Sequence, residues 1–167
     1  MSEPPLSRIG GTTLRRANAA DATTLGTLRA AMSSERTRCD EAASRAFAAT
    51  CASFFARELT RSEPFLRVWV ASDDERIVAT AALTTYRTLP RLASVGEVDG
   101  RVRDVYVVPE YRRRGIARAL MALVLDEARS LSVDRLALGA SVMGRPLYET
   151  LGFVSKTDEM LYAPPNV

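Results

Sequence analysis

Histidine is absent from this chain of 167 residues. That gap removes Ser-His-Asp and Cys-His nucleophilic machinery together, and it takes away the commonest transition-metal ligand. Cysteine is scarce as well: Cys39 and Cys51 are the two present, both in a stretch that reads as helix. Two cysteines make neither a zinc site nor the disulfide scaffold of a small secreted domain, so a reducing cytosol is expected. No apolar run approaches the ~18 residues needed to span a bilayer. The N-terminal MSEPPLSRIGG is polar and carries two prolines, unlike the apolar region of a signal peptide. The expectation is a cytoplasmic protein with no metal and no membrane partner. Its acid–base chemistry must come from carboxylates, tyrosine, cysteine or water.

Lysine is almost missing too. Lys156 is the single one among 23 basic side chains, which face 20 acidic ones for a net charge of +3. That mild excess suits an anionic small molecule as readily as nucleic acid. The apolar fraction of 47% and charged fraction of 26% are those of an ordinary globular chain, and the length suits one domain. Residues 1–11 read as a disordered lead, and 12–167 as the domain.

Thr12–Ala17 reads as a first strand, with Asn18 or Asp21 able to cap the helix that follows. Leu25, Leu28 and Met32 recur at helical spacing up to about Arg36. Asp40 caps a second helix to about Leu59, whose expected apolar face is Ala43, Phe47, Cys51, Phe54 and Phe55. Phe65–Ala71 and Ile77–Tyr86 form a hairpin around a turn at Ser72–Glu75. Leu89–Glu97 is loop, and Val102–Val108 is a strand stopped by Pro109. From Gly115 to Leu131 the helical repeat is strong, with Ile116, Ala119, Leu120, Leu123, Val124 and Ala128 on one face. Val133–Leu138 is a strand, Pro146–Leu151 a short helix, and Phe153–Val154 and Met160–Tyr162 the last two strands. The predicted order is β-α-α-β-β-β-α-β-α-β-β, an α/β fold with a mixed sheet.

The segment Val105–Ala117 (VYVVPEYRRRGIA) is a strand, a short turn and a helix start. A helix N-terminus exposes unpaired N–H groups with partial positive charge, which suits phosphate. Gly115 and Ala117 leave room for a pyrophosphate to approach the backbone, and Arg112, Arg113 and Arg114 add charge beside it. Neither GxxxxGK[ST] nor GxGxxG is present. The segment instead resembles the coenzyme A pyrophosphate turn of the Gcn5-related N-acetyltransferase family, [QR]-x-x-G-x-[GA], here Arg112-Arg113-Arg114-Gly115-Ile116-Ala117 after a strand ending in V-x-P. Downstream, Ser141–Phe153 is similar to that family's N-x-x-A-x-x-x-Y-x-x-x-GF segment. Tyr148, Gly152 and Phe153 match, whereas Ser141 and Gly144 stand where asparagine and alanine are common. The resemblance covers roughly residues 12–162.

The resemblance implies a single acyl-CoA N-acyltransferase domain with helices on both faces of a mostly antiparallel sheet, splayed between the strands at 102–108 and 133–138. It implies acetyl-CoA as co-substrate and direct attack by a primary amine of a small molecule or peptide. Coenzyme contacts would come from Arg112, Arg113, Arg114, Gly115, Ile116, Ala117, Arg118 and Ser141, and from the main chain of Val105 and Val107. Charge developing on the thioester oxygen would be met by a backbone N–H of the splayed strand, and Tyr148 would protonate the departing thiolate. An ungapped count along the strand puts Arg101 where protein-lysine acetyltransferases carry glutamate. Asp104, Glu97 and Asp99 are the nearest carboxylates, and Asp104 is the candidate base or substrate contact, against a salt bridge to Arg101 or Arg103 or a solvent-facing position. The acceptor would contact about Met32–Arg38 and Leu89–Gly100. Trp69 and Tyr86 are either core or acceptor pocket. Homodimers are common for this fold. Two other readings stay open: a non-catalytic acyl-CoA-binding sensor, and a regulatory nucleic-acid-binding protein using the arginines.

Overall fold

The computed structural model describes residues 7–92 and 95–156, together with Met160 and Tyr162. Six strands form one sheet in the order of the chain: β1 (Ser7–Ile9), β2 (Thr12–Arg16), β3 (Leu66–Asp73), β4 (Arg76–Arg87), β5 (Val98–Val107) and β6 (Arg135–Ala137). Neighbours are antiparallel from β1 to β5, and β5 pairs parallel with β6. The helices are α1 (Ala22–Ser34), α2 (Glu41–Glu58), α3 (Ile116–Ser130) and α4 (Arg145–Thr150). This is the expected α/β architecture with a mixed, mostly antiparallel sheet.

β3 and β4 are buried along most of their length, because the sheet is covered on both faces. Alternate side chains therefore enter different cores. Trp69, Ala71, Ala79, Ala81 and Leu83 pack with α3, whose buried stripe is Ile116, Leu120, Met121, Val124 and Ala128. Each such large aliphatic side chain stabilises the fold by about 1.5–3 kcal/mol. On the opposite face Leu66, Val68, Val70 and Ala82 pack with Leu25 and Leu28 of α1 and Phe55 of α2. Both readings of Trp69 and Tyr86 now resolve: Trp69 is core, with Arg16 stacked 5.0 Å above its ring, and Tyr86 is exposed.

The Asp40 cap forms as expected, whereas α1 itself has no side-chain cap. Asp40 accepts from the Ala43 N–H (2.7 Å) at the start of α2. Asn18 and Asp21 make a reciprocal capping box on a 3-10 turn at Ala19–Asp21 that leads into α1. Arg15 donates to both oxygens of Asp21 (2.7 and 2.8 Å), which offsets the burial of that carboxylate and holds its pKa below the usual range.

Four expectations need correction. Residues 7–11 are not a disordered lead: Ser7–Ile9 pairs with β2 as a hairpin edge, while 1–6 lie outside the described residues. β5 begins at Val98, four residues before the strand expected at Val102–Val108. The packed stripe of α2 is rotated from the expected face, since Phe47 and Phe54 are more than a third exposed and Phe55 is buried. Phe153–Val154, Met160 and Tyr162 are not in strands, and residues 157–159 and 161 lie outside the described residues. No helix among the described residues is long and apolar enough to cross a membrane.

The rotation of α2 has a steric cause. Its closest approach to α1 is at Gly26, where an added Cβ would lie 2.4 Å from the Ala48 carbonyl oxygen and 2.8 Å from the Ala52 nitrogen. The small residues Ala48 and Ala52 face α1, and the phenylalanines flank that contact. Gly26→Ala gains about 1 kcal/mol of helix propensity but forces two backbones apart, an overpacking cost of about 1–3 kcal/mol. Thermal unfolding should show Gly26→Ala melting below the parent, by about 2–6 °C. An equal or higher midpoint would show that the helix pair has slack at this position.

Candidate active site

The site begins with an irregularity in β5. Ala82 opposes Arg103 and Thr80 opposes Tyr106, so Ala81 faces two residues, Asp104 and Val105. Asp104 takes the left-handed conformation at φ 51°, the arrangement of a bulge whose first residue is αL. Aspartate tolerates that region better than most residues. The extra residue reverses the faces of the strand: Val102 packs with α3, yet Tyr106, four positions on, packs with α1 and α2.

β5 and β6 are paired only at Asp99–Arg135, Gly100–Leu136 and Arg101–Ala137. Beyond Arg101 the strands separate, as the expected splay requires. Arg91 holds the closed end, donating to Asp99 and to Asp134 (3.1 Å). Gly100 fits there because a Cβ would meet Leu136 at 3.0 Å and Val133 at 3.1 Å. At the other end Val108 donates to Val78 of β4 (3.0 Å). By sheet alternation the polar groups of Val105 and Val107 then face away from β4 and into the opening.

The opening is a cleft of ≈ 770 Å³ walled by β5, the start of α3, the end of α1 and the Leu138–Tyr148 segment, a size suited to a cofactor-scale ligand. Gly115 caps α3 at φ 80°. The first intrahelical bond runs from the Ala119 N–H to the Gly115 carbonyl (3.0 Å), which leaves the N–H groups of Ile116, Ala117 and Arg118 without helix partners. The Ile116 side chain is core, so its contribution to a ligand is its main chain.

The arginines divide by role. Arg113 lines the cleft at φ 63°. Arg118 also lines it, and donates to Thr150 Oγ1 (2.8 Å). Arg112 lines the cleft but donates from Nε to the Val107 carbonyl (2.8 Å) and from Nη2 to Glu35 (2.6 Å), and it stacks over Tyr106 at 5.6 Å. Arg114 is not among the lining residues. It lies over Tyr111 at 4.8 Å and donates to the Glu110 carbonyl (2.8 Å). A solvated, featureless basic face is therefore not what the turn presents.

Tyr148 lies in α4, buried, and lines the cleft. Its ring packs edge-on to Phe153 at 6.1 Å between centroids. Gly144 sits under it: an added Cβ there would lie 3.0 Å from the ring. Ser141 Oγ accepts from the Gly144 N–H (3.1 Å), so Ser141 shapes the turn that presents Tyr148 as well as lining the cleft. Burial pushes the Tyr148 hydroxyl above its usual pKa, partly opposed by the charge of Arg36. The group keeps its proton at neutral pH.

Of the three carboxylates expected near this strand, Asp104, Glu97 and Asp99, only Asp104 lines the cleft. Glu97 is exposed and paired with Arg87, and Asp99 is buried against Arg91. Asp104 pairs with Arg29 of α1 rather than with Arg101 or Arg103. Burial pushes its pKa above the usual carboxylate range, although Arg29 and Arg103 pull it down. Glu35 lies in the Met32–Arg38 segment expected to face the acceptor, but its partners were not foreseen: it accepts from Tyr106 Oη (2.9 Å) and from Arg112. No motif marks Glu35, because it meets β5 only through the tertiary fold.

Residues 29–153 match the model of the acetyltransferase (GNAT) family. The chain belongs to that family. The GNAT family uses acetyl-CoA. A glucosamine 6-phosphate N-acetyltransferase of Trypanosoma brucei brucei is 33% identical over 85 residues, spanning 51% of this chain and 56% of that relative. A GCN5-related N-acetyltransferase from Ralstonia eutropha JMP134 superposes with a TM-score of 0.80 at 25% identity, covering 93% of this chain and 99% of that one. A predicted acetyltransferase from Clostridium acetobutylicum, solved with acetyl-CoA, shares the fold with a TM-score of 0.76 at 24% identity, covering 92% and 96%. The GNAT match contains the bulge, the turn and Tyr148.

Two outcomes follow from this geometry. Because folding raises the Asp104 pKa, the stability it contributes is full below the ordinary carboxylate range and is lost as pH rises through the folded value. Asp104→Asn keeps a residue that tolerates φ 51° and removes the charge. Its melting temperature relative to the parent should rise from acid to neutral pH, and a pH-independent difference would show that Arg29 fully compensates the burial. Arg113→Glu should weaken acetyl-CoA binding about 10- to 100-fold in calorimetric titration, the worth of one charge-assisted contact plus repulsion. Unchanged affinity would take Arg113 out of the phosphate site.

Proposed function

We propose that the chain transfers an acetyl group from acetyl-CoA to a primary amine of a small molecule or peptide, by direct attack and without a covalent enzyme intermediate. The observation that carries this reading is the convergence in one cleft of three things: the unpaired edge of β5 at Val105 and Val107, the unpaired N–H groups at the start of α3, and the buried, protonated Tyr148. The residues fit the coenzyme. Gly115 is open, with its nearest neighbour to an added Cβ at 3.8 Å, and the α3 N–H groups and Arg113 suit a diphosphate. When bound, acetyl-CoA supplies an activated acetyl thioester.

Each protein group then has a task. Arg113, Arg118 and the main chain of Ile116 and Ala117 hold phosphate, and Ser141 supports the loop that closes over it. Val105 and Val107 offer the pantetheine arm main-chain bonds, although the Val107 carbonyl already accepts from Arg112. An N–H on this edge stabilises negative charge on the carbonyl oxygen of the acetyl group. Tyr148 Oη donates its proton to the leaving sulfur. Asp104, less acidic than usual, accepts a proton from the bound ammonium directly or through water, since an alkyl amine near pKa 10.4 is charged at neutral pH. The neutral amine then attacks, and the second proton lost by its nitrogen returns through water to Tyr148. This chemistry needs no histidine. We place it in the cytoplasm, consistent with the two free cysteines.

Thiol release from acetyl-CoA, followed with a panel of primary amines, tests the reaction. Amine-dependent release supports transfer; tight acetyl-CoA binding without release on any amine favours a sensor. Tyr148→Phe should retain acetyl-CoA affinity while kcat falls about 100-fold, as for loss of a general acid. Unchanged kcat would reduce Tyr148 to a packing residue.

A further inference from the structure

Seven arginines but only two carboxylates, Glu35 and Asp104, line the cleft. Arg112 pairs with Glu35 and Arg29 with Asp104, while Arg113 and Arg118 stand at the start of α3. That leaves Arg36, Arg101 and Arg103, none of which has an ion pair among the described residues. Arg101 and Arg103 sit on β5 away from the phosphate turn, whereas Arg36 adjoins Glu35, the partner of Arg112. Val102 packs toward α3, so its neighbours Arg101 and Arg103 leave β5 on the opposite face. Arg103 stands opposite Ala82, which packs beneath α1 and α2. Arg36 follows the end of α1 and lines the cleft, close enough for its charge to act on Tyr148.

Three guanidiniums converging on one cleft repel one another unless an anion sits among them, and the planar guanidinium fork matches carboxylate or phosphate oxygens. The coenzyme's diphosphate is already served by α3 across the strand. We propose that the acceptor amine itself carries an anionic group, a phosphate or a carboxylate, held by Arg36, Arg101 and Arg103 on the α1 side of the bulge. Asp104, on the same strand as Arg101 and Arg103, is the carboxylate that the transfer reading already sets against the amine of such a molecule. The assignment rests on the acetyl-transfer reading for its acceptor side, and binding can be read without turnover.

The test titrates the protein saturated with coenzyme A against matched pairs: glucosamine 6-phosphate with glucosamine, and alanyl-alanine with its C-terminal amide. One anionic member should bind at least about tenfold more tightly than its neutral twin, and the pair showing the gap identifies phosphate or carboxylate. Arg101→Gln and Arg103→Gln, both at partly or fully exposed surface positions, should close the gap and leave coenzyme A affinity unchanged. No gap in either pair, or a gap that survives both substitutions, overturns the anion site. Thiol release runs alongside. A gap without release sinks the transfer reading and leaves the anion site standing, whereas release from neutral amines without a gap sinks the anion site alone.

Discussion

The cleft depends on a single extra residue in β5. Opposite Ala81 the strand carries Asp104 and Val105 instead of one residue, and Asp104 absorbs the excess by turning left-handed. Its carboxylate is then swung against α1, where Arg29 holds it. The bulge bends the strand and raises its local twist, so β5 leaves β6 after three paired residues. It also exchanges the two faces of the strand. Tyr106 is delivered to the α1 side, where it meets Glu35, while Val105 and Val107 join the core under α3. Arg91, bridging Asp99 and Asp134, keeps the other end shut. An opening strand pair with one clamped end gives a cleft of fixed depth rather than two loose edges.

The arginine-rich turn gains its specificity from what its neighbours take away. Arg112 is fixed to the Val107 carbonyl and Glu35, and Arg114 is fixed against Tyr111. What remains toward the cleft is Arg113, Arg118 and a row of helix N–H groups. The β1–β2 hairpin braces this turn from behind: Gly10 approaches so closely that a Cβ would lie 2.8 Å from the Arg114 carbonyl oxygen. A ligand site built on main-chain donors needs such support, because a shift of the turn moves all the donors together.

The helix at Gly115–Leu131, the turn before it and Tyr148 were legible because each leaves a local signal: a 3.6-residue repeat, a glycine at a helix start, and a spaced motif. The bulge was not. VRDVYVV reads as a regular strand, and nothing local shows that Asp104 is left-handed, so an ungapped count along it crosses an undetected change of face. The partner of Asp104 was equally hidden, since Arg29 lies 75 positions away. The partners of Glu35 and the β1 hairpin were hidden for the same reason, as both are defined by tertiary contact. On α2 the large aromatics suggested the buried face, while the actual contact with Gly26 is made by Ala48 and Ala52. Size drew the eye where close approach demanded smallness.

The acid and base of the proposed reaction are tuned by the same physical effect in opposite chemical senses. Burial raises the pKa of both Tyr148 and Asp104. For the tyrosine this preserves the proton it must give. For the aspartate it strengthens the affinity for a proton it must take, bringing a normally weak base nearer the working pH. Arg29 opposes that gain and holds the carboxylate in place. An active site without histidine thus relies on desolvation to adjust two ordinary side chains, and on one guanidinium to limit how far the adjustment goes.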